Sequence, residues 1–167
     1  MSSSIDSDRP LKAIDLADLI DLRGPFGTRT RSVVLTNGCF DLLHSGHIQT
    51  INGASGFGDV LVVALNSDDS VRRLKGEDRP ADRLRARIKK LSELESVDHI
   101  VVFNEDTPVD LIDRLRPDVL VKGGDYSPDQ VVGGDLVESY GGQIRIVPFL
   151  EGHSTTSRIG TDRENEP

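Results

Sequence analysis

The chain has a single cysteine, a single methionine and no tryptophan in 167 residues. With Cys39 alone, an internal disulfide framework is excluded, and a reducing cytoplasmic setting is the expectation. Long hydrophobic runs are also missing. The longest, Val60–Leu65, has the length of a strand and falls far short of the roughly 18 residues of a membrane span. The first residues, Met1–Asp8, are polar and acidic, the wrong character for a secretory signal. Positive charge is in deficit, with 20 Lys and Arg against 28 Asp and Glu and a net charge of −8. That balance argues against general affinity for nucleic acid. No repeat and no long linker divides the chain, whose length suits one domain with a real core.

What is present is an alternation of short apolar runs with longer amphipathic ones. Residues 1–10 read as a disordered tail, 11–160 as the domain and 161–167 as a polar C-terminal tail. An opening helix is marked by Asp15 as N-cap, Asp18 in its first turn and an Ile14–Leu19 staple. Leu16, Leu19, Ile20 and Leu22 form its apolar face, and Gly24-Pro25 ends it. Strands are expected at Ser32–Thr36, Asp59–Leu65, His99–Phe103, Val119–Lys122 and Gln143–Val147. Helices are expected at Gly46–Phe57, Asp68–Leu74, Asp82–Leu94, Pro108–Leu115 and Gln130–Tyr140. Strands apolar throughout need cover on both faces, so the pattern predicts an α/β, Rossmann-like, doubly wound five-stranded parallel sheet. Such sheets bind ligands beyond the carboxyl ends of their strands. Asn52–Gly56 is a poor helix interior, held by packing or ended early.

Four stretches fall at those ends. Thr36–His47 follows the first strand, and His44 and His47, three apart, share one side of a starting helical turn. With the free N–H groups of a helix start, two imidazoles there could hold a triphosphate and stabilise departing pyrophosphate. A metal pair or two ordinary capping histidines fit the spacing as well, although no His-Glu-x-x-His pattern accompanies them. Lys122–Tyr126 could cradle an anion or a base edge, or be a plain turn. Gly152–Ser157 offers hydroxyls at a helix start, for phosphate or simply as an N-cap. Between Arg72 and Lys90, nine basic residues face three acidic ones; that segment reads as a solvated helix face or a local anion site. Cys39, with no partner cysteine, reads as a buried thiol.

Asn37-Gly38-Cys39-Phe40-Asp41 followed by His44-Ser45-Gly46-His47 resembles the signature of the cytidylyltransferase-like nucleotidyltransferases. Val63–Asp68, Arg73–Gly76 with Arg79-Pro80, Glu105–Pro108, Pro117–Tyr126 and Gly152–Thr156 are similar to one branch of that family. It is the branch that adenylylates D-glycero-β-D-manno-heptose 1-phosphate in bacterial ADP-heptose synthesis. The resemblance implies transfer of AMP from ATP to a sugar 1-phosphate, with Mg²⁺ on the phosphates and no protein metal site. It implies catalytic His44, His47 and Lys75, with Arg87 assisting at the nucleotide. Thr36, Asn37, Gly38 and Phe40 would line the nucleotide, Gly124 and Asp125 the base or ribose, and Ser154, Thr155 and Thr156 the triphosphate. Asp41 and Lys122 would meet the acceptor.

Departures from the family pattern are Arg85, standing where an acidic partner of Arg87 is usual, and the glycines of Asn52–Gly56. Sister readings are a transferase using CTP, or one acting on glycerol 3-phosphate or flavin mononucleotide. A non-catalytic nucleotide-binding module is a reading of another class. The implied partners are ATP and the sugar phosphate, a second copy in a homodimer, and a separate sugar kinase upstream. Neither nucleic acid nor membrane is implied.

Overall fold

A computed structural model describes residues 11–149. The two tails, residues 150–160 of the expected domain, and with them Ser154, Thr155 and Thr156, lie outside the described residues. The elements run α1 (Leu16–Arg23), β1 (Val33–Gly38), α2 (Ser45–Ala54), β2 (Val60–Asn66), α3 (Asp68–Lys75) and α4 (Leu84–Ser92). They continue as β3 (His99–Phe103), α5 (Val109–Leu115), β4 (Val119–Gly123), α6 (Gly134–Ser139) and β5 (Gln143–Val147). All five strands are parallel, in the order β3-β2-β1-β4-β5. The chain therefore winds outward from β1 in one direction and then restarts beside it with β4. The β1/β4 junction is the topological switch point of a doubly wound α/β sheet.

Alternation along β1 divides the core. Val33 and Leu35 face a cluster with Leu19, Val62, Leu111, Ile112 and Leu120. Val34 faces the other, with Phe40, Ile51, Val63, Ile88 and Val121. β1, β2 and β4 thus bury both their faces, which is why they read as continuous apolar runs, whereas the edge strand β5 leaves Gln143 and Arg145 exposed. The exposed side of β3 is covered at its start by a parallel bridge from Ala13 to Ile100. Lys12 secures that bridge by donating its Nζ to the carbonyls of Leu94 and Val97.

Several elements differ from expectation. Asp15 holds the N-cap position of α1 without a side-chain hydrogen bond, and Leu22 is exposed. The helix expected over Gln130–Tyr140 is a 3₁₀ turn, Pro128–Gln130, followed by the short α6, because Gly133 at φ 88° breaks the run. α4 begins at Leu84 with Arg83 as its N-cap. The glycine-rich end of α2 stops at Ala54 and continues as a 3₁₀ turn, Ser55–Phe57. Gly53 has a packing reason: a Cβ there would stand 3.0 Å from Val147 Cγ1. Gly123 has a stronger one, since its Cβ would come within 2.0 Å of Thr50 Oγ1. Both glycines let α2 lie close on β4 and β5.

At the opposite edge one residue type recurs. Asp59, Asp98 and Asp118 each stand one residue before a strand. Their carboxylates accept from Ser32 N, Leu61 N and Val33 N, at the start of the neighbouring strand. Asp118 also pairs with Arg23, whose side chain is only 4% exposed. Replacing Asp118 orphans a strand amide and leaves a buried guanidinium without its counter-charge. Asp118→Ala is expected to cost about 3 kcal/mol and to lower Tm by roughly 6–12 °C, read by thermal melting.

Candidate active site

A cavity of about 430 Å³ opens beyond the carboxyl ends of β1, β2 and β4. Its floor is Thr36, Asn37 and Gly38 at the end of β1, then the Cys39–Asp41 loop, with His47 and Thr50 of α2 above. On the β2/β3 side stand Asn66, Leu74, Lys75 and Asp106; on the β4/β5 side Lys122, Gly123, Tyr126 and Phe149. One contact across the sheet and one within α2 shape the site. Thr36 Oγ1 donates to Val121 O at 3.0 Å, and Thr50 Oγ1 donates to Gly46 O at 3.2 Å.

The histidines form the start of α2. His44 is the N-cap, and its Nδ1 accepts the Gly46 N–H at 3.1 Å. His47 Nδ1 in turn accepts the His44 N–H at 3.2 Å. A nitrogen that accepts an N–H carries no proton of its own, so each neutral ring keeps its hydrogen on Nε2. The rings stack with centroids 3.7 Å apart and planes 23° from parallel. Phe40 closes the far side of His47 edge-on, at 5.2 Å and 76°. The outcome is a pair of Nε2–H donors turned away from the backbone turn that holds them. His47 is lowered from 6.5 to about 4 by burial first, then by His44 and Lys75. Cys39 has no cysteine partner and is half-buried; burial raises its pKa, so the thiol stays protonated.

Phe40 and Leu42 have φ of 47° and 58°, a left-handed conformation that costs non-glycine residues roughly 1–2 kcal/mol each. Two buried charges hold that loop. Arg87, with a fully buried side chain, donates from Nη1 to Cys39 O and Asn66 O, each at 2.8 Å. Its Nε donates to Asp82 O at 3.0 Å, and its Nη2 pairs with Asp68 at 2.6 Å. Asp41, its side chain 2% exposed, accepts from Arg79 Nε at 2.9 Å and from the amides of Ala81 and Asp82, each at 2.8 Å. Burial alone would raise its pKa, but the Asp82 and Ala81 amides and Arg79 outweigh that and hold the carboxyl below its ordinary value.

Two of the expected site residues carry structural ties. Arg87 is beneath the site, with Nε, Nη1 and Nη2 all bonded to the protein, and does not line the cavity. Its acidic partner is Asp68, which removes the concern raised by Arg85. Asp41 lines the cavity wall while its carboxylate accepts from the 79–82 segment. Of the nine basic residues between Arg72 and Lys90, Lys75 lines the cavity. Arg72, Arg73, Arg79 and Lys90 pair with Asp69, Asp106, Asp41 and Asp82. A broad anion patch is therefore replaced by structural ion pairs around one cavity lysine.

Thr36, Asn37, Gly38, Phe40, His47, Lys75 and Lys122 are brought together, with His44 stacked behind His47. Gly124, at φ 106°, and exposed Asp125 follow at the rim. Thr50, Asn66, Leu74, Asp106, Tyr126 and Phe149 were missed. Thr50 was within reach of the helical spacing, being three residues beyond His47. The others shared the signal of standing after a strand.

Residues 35–148 match the cytidylyltransferase-like family. The chain belongs to that family. Cytidylyltransferase-like members are nucleotidyltransferases, and the chain is one. It is 52% identical over 155 residues to the bifunctional protein HldE of Geobacter metallireducens, covering 92% of this chain and 31% of that one. It is 56% identical over 131 residues to the protein of the same name from Syntrophotalea carbinolica, covering 78% and 27%. The chain thus spans 27–31% of the length of these curated relatives. A crystal structure of the lipopolysaccharide core biosynthesis protein from Thermoplasma volcanium GSS1 is similar at a TM-score of 0.59 and 26% identity, covering 72% of this chain and 98% of that one.

Two outcomes follow from the geometry. In a histidine-ring NMR titration of the nucleotide-free protein, His47 is expected to stay neutral at pH 5.5 and to show its inflection near 4. Between 6.5 and 4 the unfolded chain takes up a proton that the folded chain refuses. This residue's contribution to stability is therefore complete above 6.5 and declines as pH falls toward 4. An inflection near 6.5 would contradict the assigned burial. Separately, Arg87→Met strands the Asp68 carboxylate and two loop carbonyls, at an expected cost of about 3–5 kcal/mol. Thermal melting is expected to register it as a drop of roughly 10 °C.

Proposed function

We propose that this nucleotidyltransferase moves AMP from ATP to a sugar 1-phosphate, D-glycero-β-D-manno-heptose 1-phosphate, giving ADP-heptose and pyrophosphate. The observation that carries the reading is the stacked pair of imidazoles, each with Nδ1 tied to the backbone and Nε2–H free, beside Lys75 at the switch point. Two neutral donors and one ammonium suit a chain of anionic phosphates whose charge shifts during reaction. The choice of heptose rests on relatives at 52–56% identity bearing the name HldE. The Arg73–Gly76 and Lys122–Tyr126 segments, similar to the heptose branch, support the same choice.

In this mechanism a phosphate oxygen of the sugar 1-phosphate attacks the α-phosphorus of ATP in line. The new O–P bond forms as the bond from the α-phosphorus to the β-bridging oxygen breaks, and pyrophosphate leaves with that electron pair. No covalent enzyme intermediate is needed, so the protein works by positioning and by stabilising charge. His44 and His47 donate to the oxygens that gain charge, and Lys75 offsets the charge near the α-phosphorus. Among the described residues no group of three or more His, Cys, Asp or Glu gathers to hold a metal. Of the two carboxylates on the cavity wall, Asp41 is consumed and Asp106 is paired with Arg73. Mg²⁺ entering with ATP would supply neutralising charge to the phosphates.

Among the described residues no helix is long and apolar enough to cross a membrane. A cytoplasmic place beside ATP, a homodimer, and a sugar kinase supplying the 1-phosphate complete the reading. The test is pyrophosphate release across four nucleoside triphosphates with heptose 1-phosphate, glycerol 3-phosphate and flavin mononucleotide as acceptors. ATP with the heptose phosphate is expected to dominate; turnover with CTP but not ATP would sink the proposal. His47→Ala is expected to lower kcat by about 10²-fold or more with folding intact by circular dichroism. Near-normal turnover would remove His47 from the mechanism.

A further inference from the structure

Gly123 ends β4 outside the left-handed region, so the shape of its backbone does not call for glycine. What excludes a side chain there is Thr50 of α2. A Cβ on Gly123 would overlap Thr50 Oγ1 and stand 3.0 Å from both its Cβ and its Cγ2. The three nearest atoms thus all belong to one side chain, and that side chain cannot swing aside. Thr50 is β-branched, which restricts χ1 in a helix. It is also buried, and its Oγ1 donates to Gly46 O one turn back at 3.2 Å.

The contact continues into the histidines. Gly46 gives its carbonyl to Thr50 and its N–H to His44 Nδ1. It is itself closely covered, since a Cβ there would stand 3.0 Å from His44 Cε1. His47 lies three residues before Thr50, on the same side of α2, and both line the cavity with Gly123. A line of contacts therefore runs from the end of β4 through Thr50 and Gly46 to the two rings. One turn further along, Gly53 rests on Val147 of β5. The histidine end of α2 is seated on β4 and its far end on β5.

We propose that Thr50 and Gly123 are positioning residues: their contact sets the height of α2 above β4, and with it the place of the His44 and His47 donors relative to the reacting phosphates. The proposal rests on the reading of those rings as phosphate donors. A side chain at position 123 would lift the start of α2 but leave both Nδ1 bonds whole, because they lie within the 44–47 turn and move with it. The donors would be correctly made and wrongly placed. A displacement of about 1 Å is enough to cost on the order of 10²-fold in rate.

The test is a double-mutant cycle on Gly123→Ala and Thr50→Ala. It is read by pyrophosphate release with ATP and heptose 1-phosphate, by thermal melting, and by histidine-ring NMR of the nucleotide-free protein. Gly123→Ala is expected to lower kcat by about 10²-fold and to change the KM for ATP by less than about threefold. Thr50→Ala loses the tie to Gly46 O and should lower kcat by about tenfold. The double variant, which removes the overlapping hydroxyl, is expected to match Thr50→Ala alone, so that the two losses do not add. The His47 inflection, near 4 in the unsubstituted protein, should rise in Gly123→Ala as the ring gains water and fall back in the double variant.

Losses that multiply in the double variant, a loss confined to the KM for the sugar phosphate, or a His47 inflection that stays in place while kcat falls would each overturn the proposal. If Gly123→Ala does not fold, Thr50→Ala and the double variant decide. Equal turnover in those two upholds the contact, and an unfolded or inactive double variant overturns it. If the unsubstituted protein adenylylates no sugar phosphate, the activity reading fails, and the His47 inflection, which needs no substrate, upholds or overturns the contact by itself.

Discussion

The site depends on one guanidinium. Arg87, carried on α4, reaches under the β1–α2 loop and donates to Cys39 O, Asn66 O and Asp82 O while pairing with Asp68. Those groups belong to the β1–α2 loop, the end of β2, the start of α3 and the approach to α4. Asp41 returns the tie from the other side, leaving the loop to accept from Arg79 and the amides of Ala81 and Asp82. The two charges do not pair with each other. Each instead satisfies the backbone of the other's segment, so the loop and the 79–87 stretch are stitched in both directions. Burying either charge alone would cost several kcal/mol. Nearly complete hydrogen bonding offsets that cost and over-determines a loop in which Phe40 and Leu42 are left-handed.

That constraint decides the chemistry of the histidines. With the loop fixed, His44 enters α2 as its N-cap and the backbone claims both Nδ1 atoms. Protonation of His47 is opposed by burial, by His44 and by Lys75, so His47 is a neutral donor at neutral pH. In a protein of net charge −8 such an arrangement is apt. In the proposed reaction, fixed Nε2–H groups need no reorganisation when charge moves onto pyrophosphate.

Much of this was legible in sequence, and the rest was hidden for identifiable reasons. His99–Phe103 and Gln143–Val147 agree with the structure to the residue, since turn signals bound both runs and β-branched residues recur within them. The histidine pair was visible because three-residue spacing is a local rule. The buried ties of Arg87 and Asp41 were hidden because sequence shows a charge and not what faces it; the Arg87–Cys39 contact spans 48 residues. The basic segment left two readings open for the same reason, most of its paired acids lying outside it, at Asp41, Asp68, Asp69 and Asp106. Asp59, Asp98 and Asp118 went unread although their place before each strand is regular. Their partner is always on a neighbouring strand, and strand order is not a local property.

The same division explains why the histidine motif leaves the acceptor open. In the proposed reading, phosphate handling is assembled at the switch point from β1, the loop after it and the start of α2, elements tied by Arg87, Asp41 and the close approach of Thr50 to Gly123. The two ends of the cavity come from elsewhere. One is built after β4 and β5 from glycines and rings, the other after β2 and β3 from Asn66, Leu74, Lys75 and Asp106. Loops after β3, β4 and β5 can change without disturbing the central tie, because the stitched 79–87 segment lies in the connection between β2 and β3. Asp106 illustrates the freedom: it reaches the cavity from the loop after β3, steadied by Arg73 of α3 and not by the sheet. A fold organised in this way keeps one reaction constant at its centre while substrate choice is set at its ends.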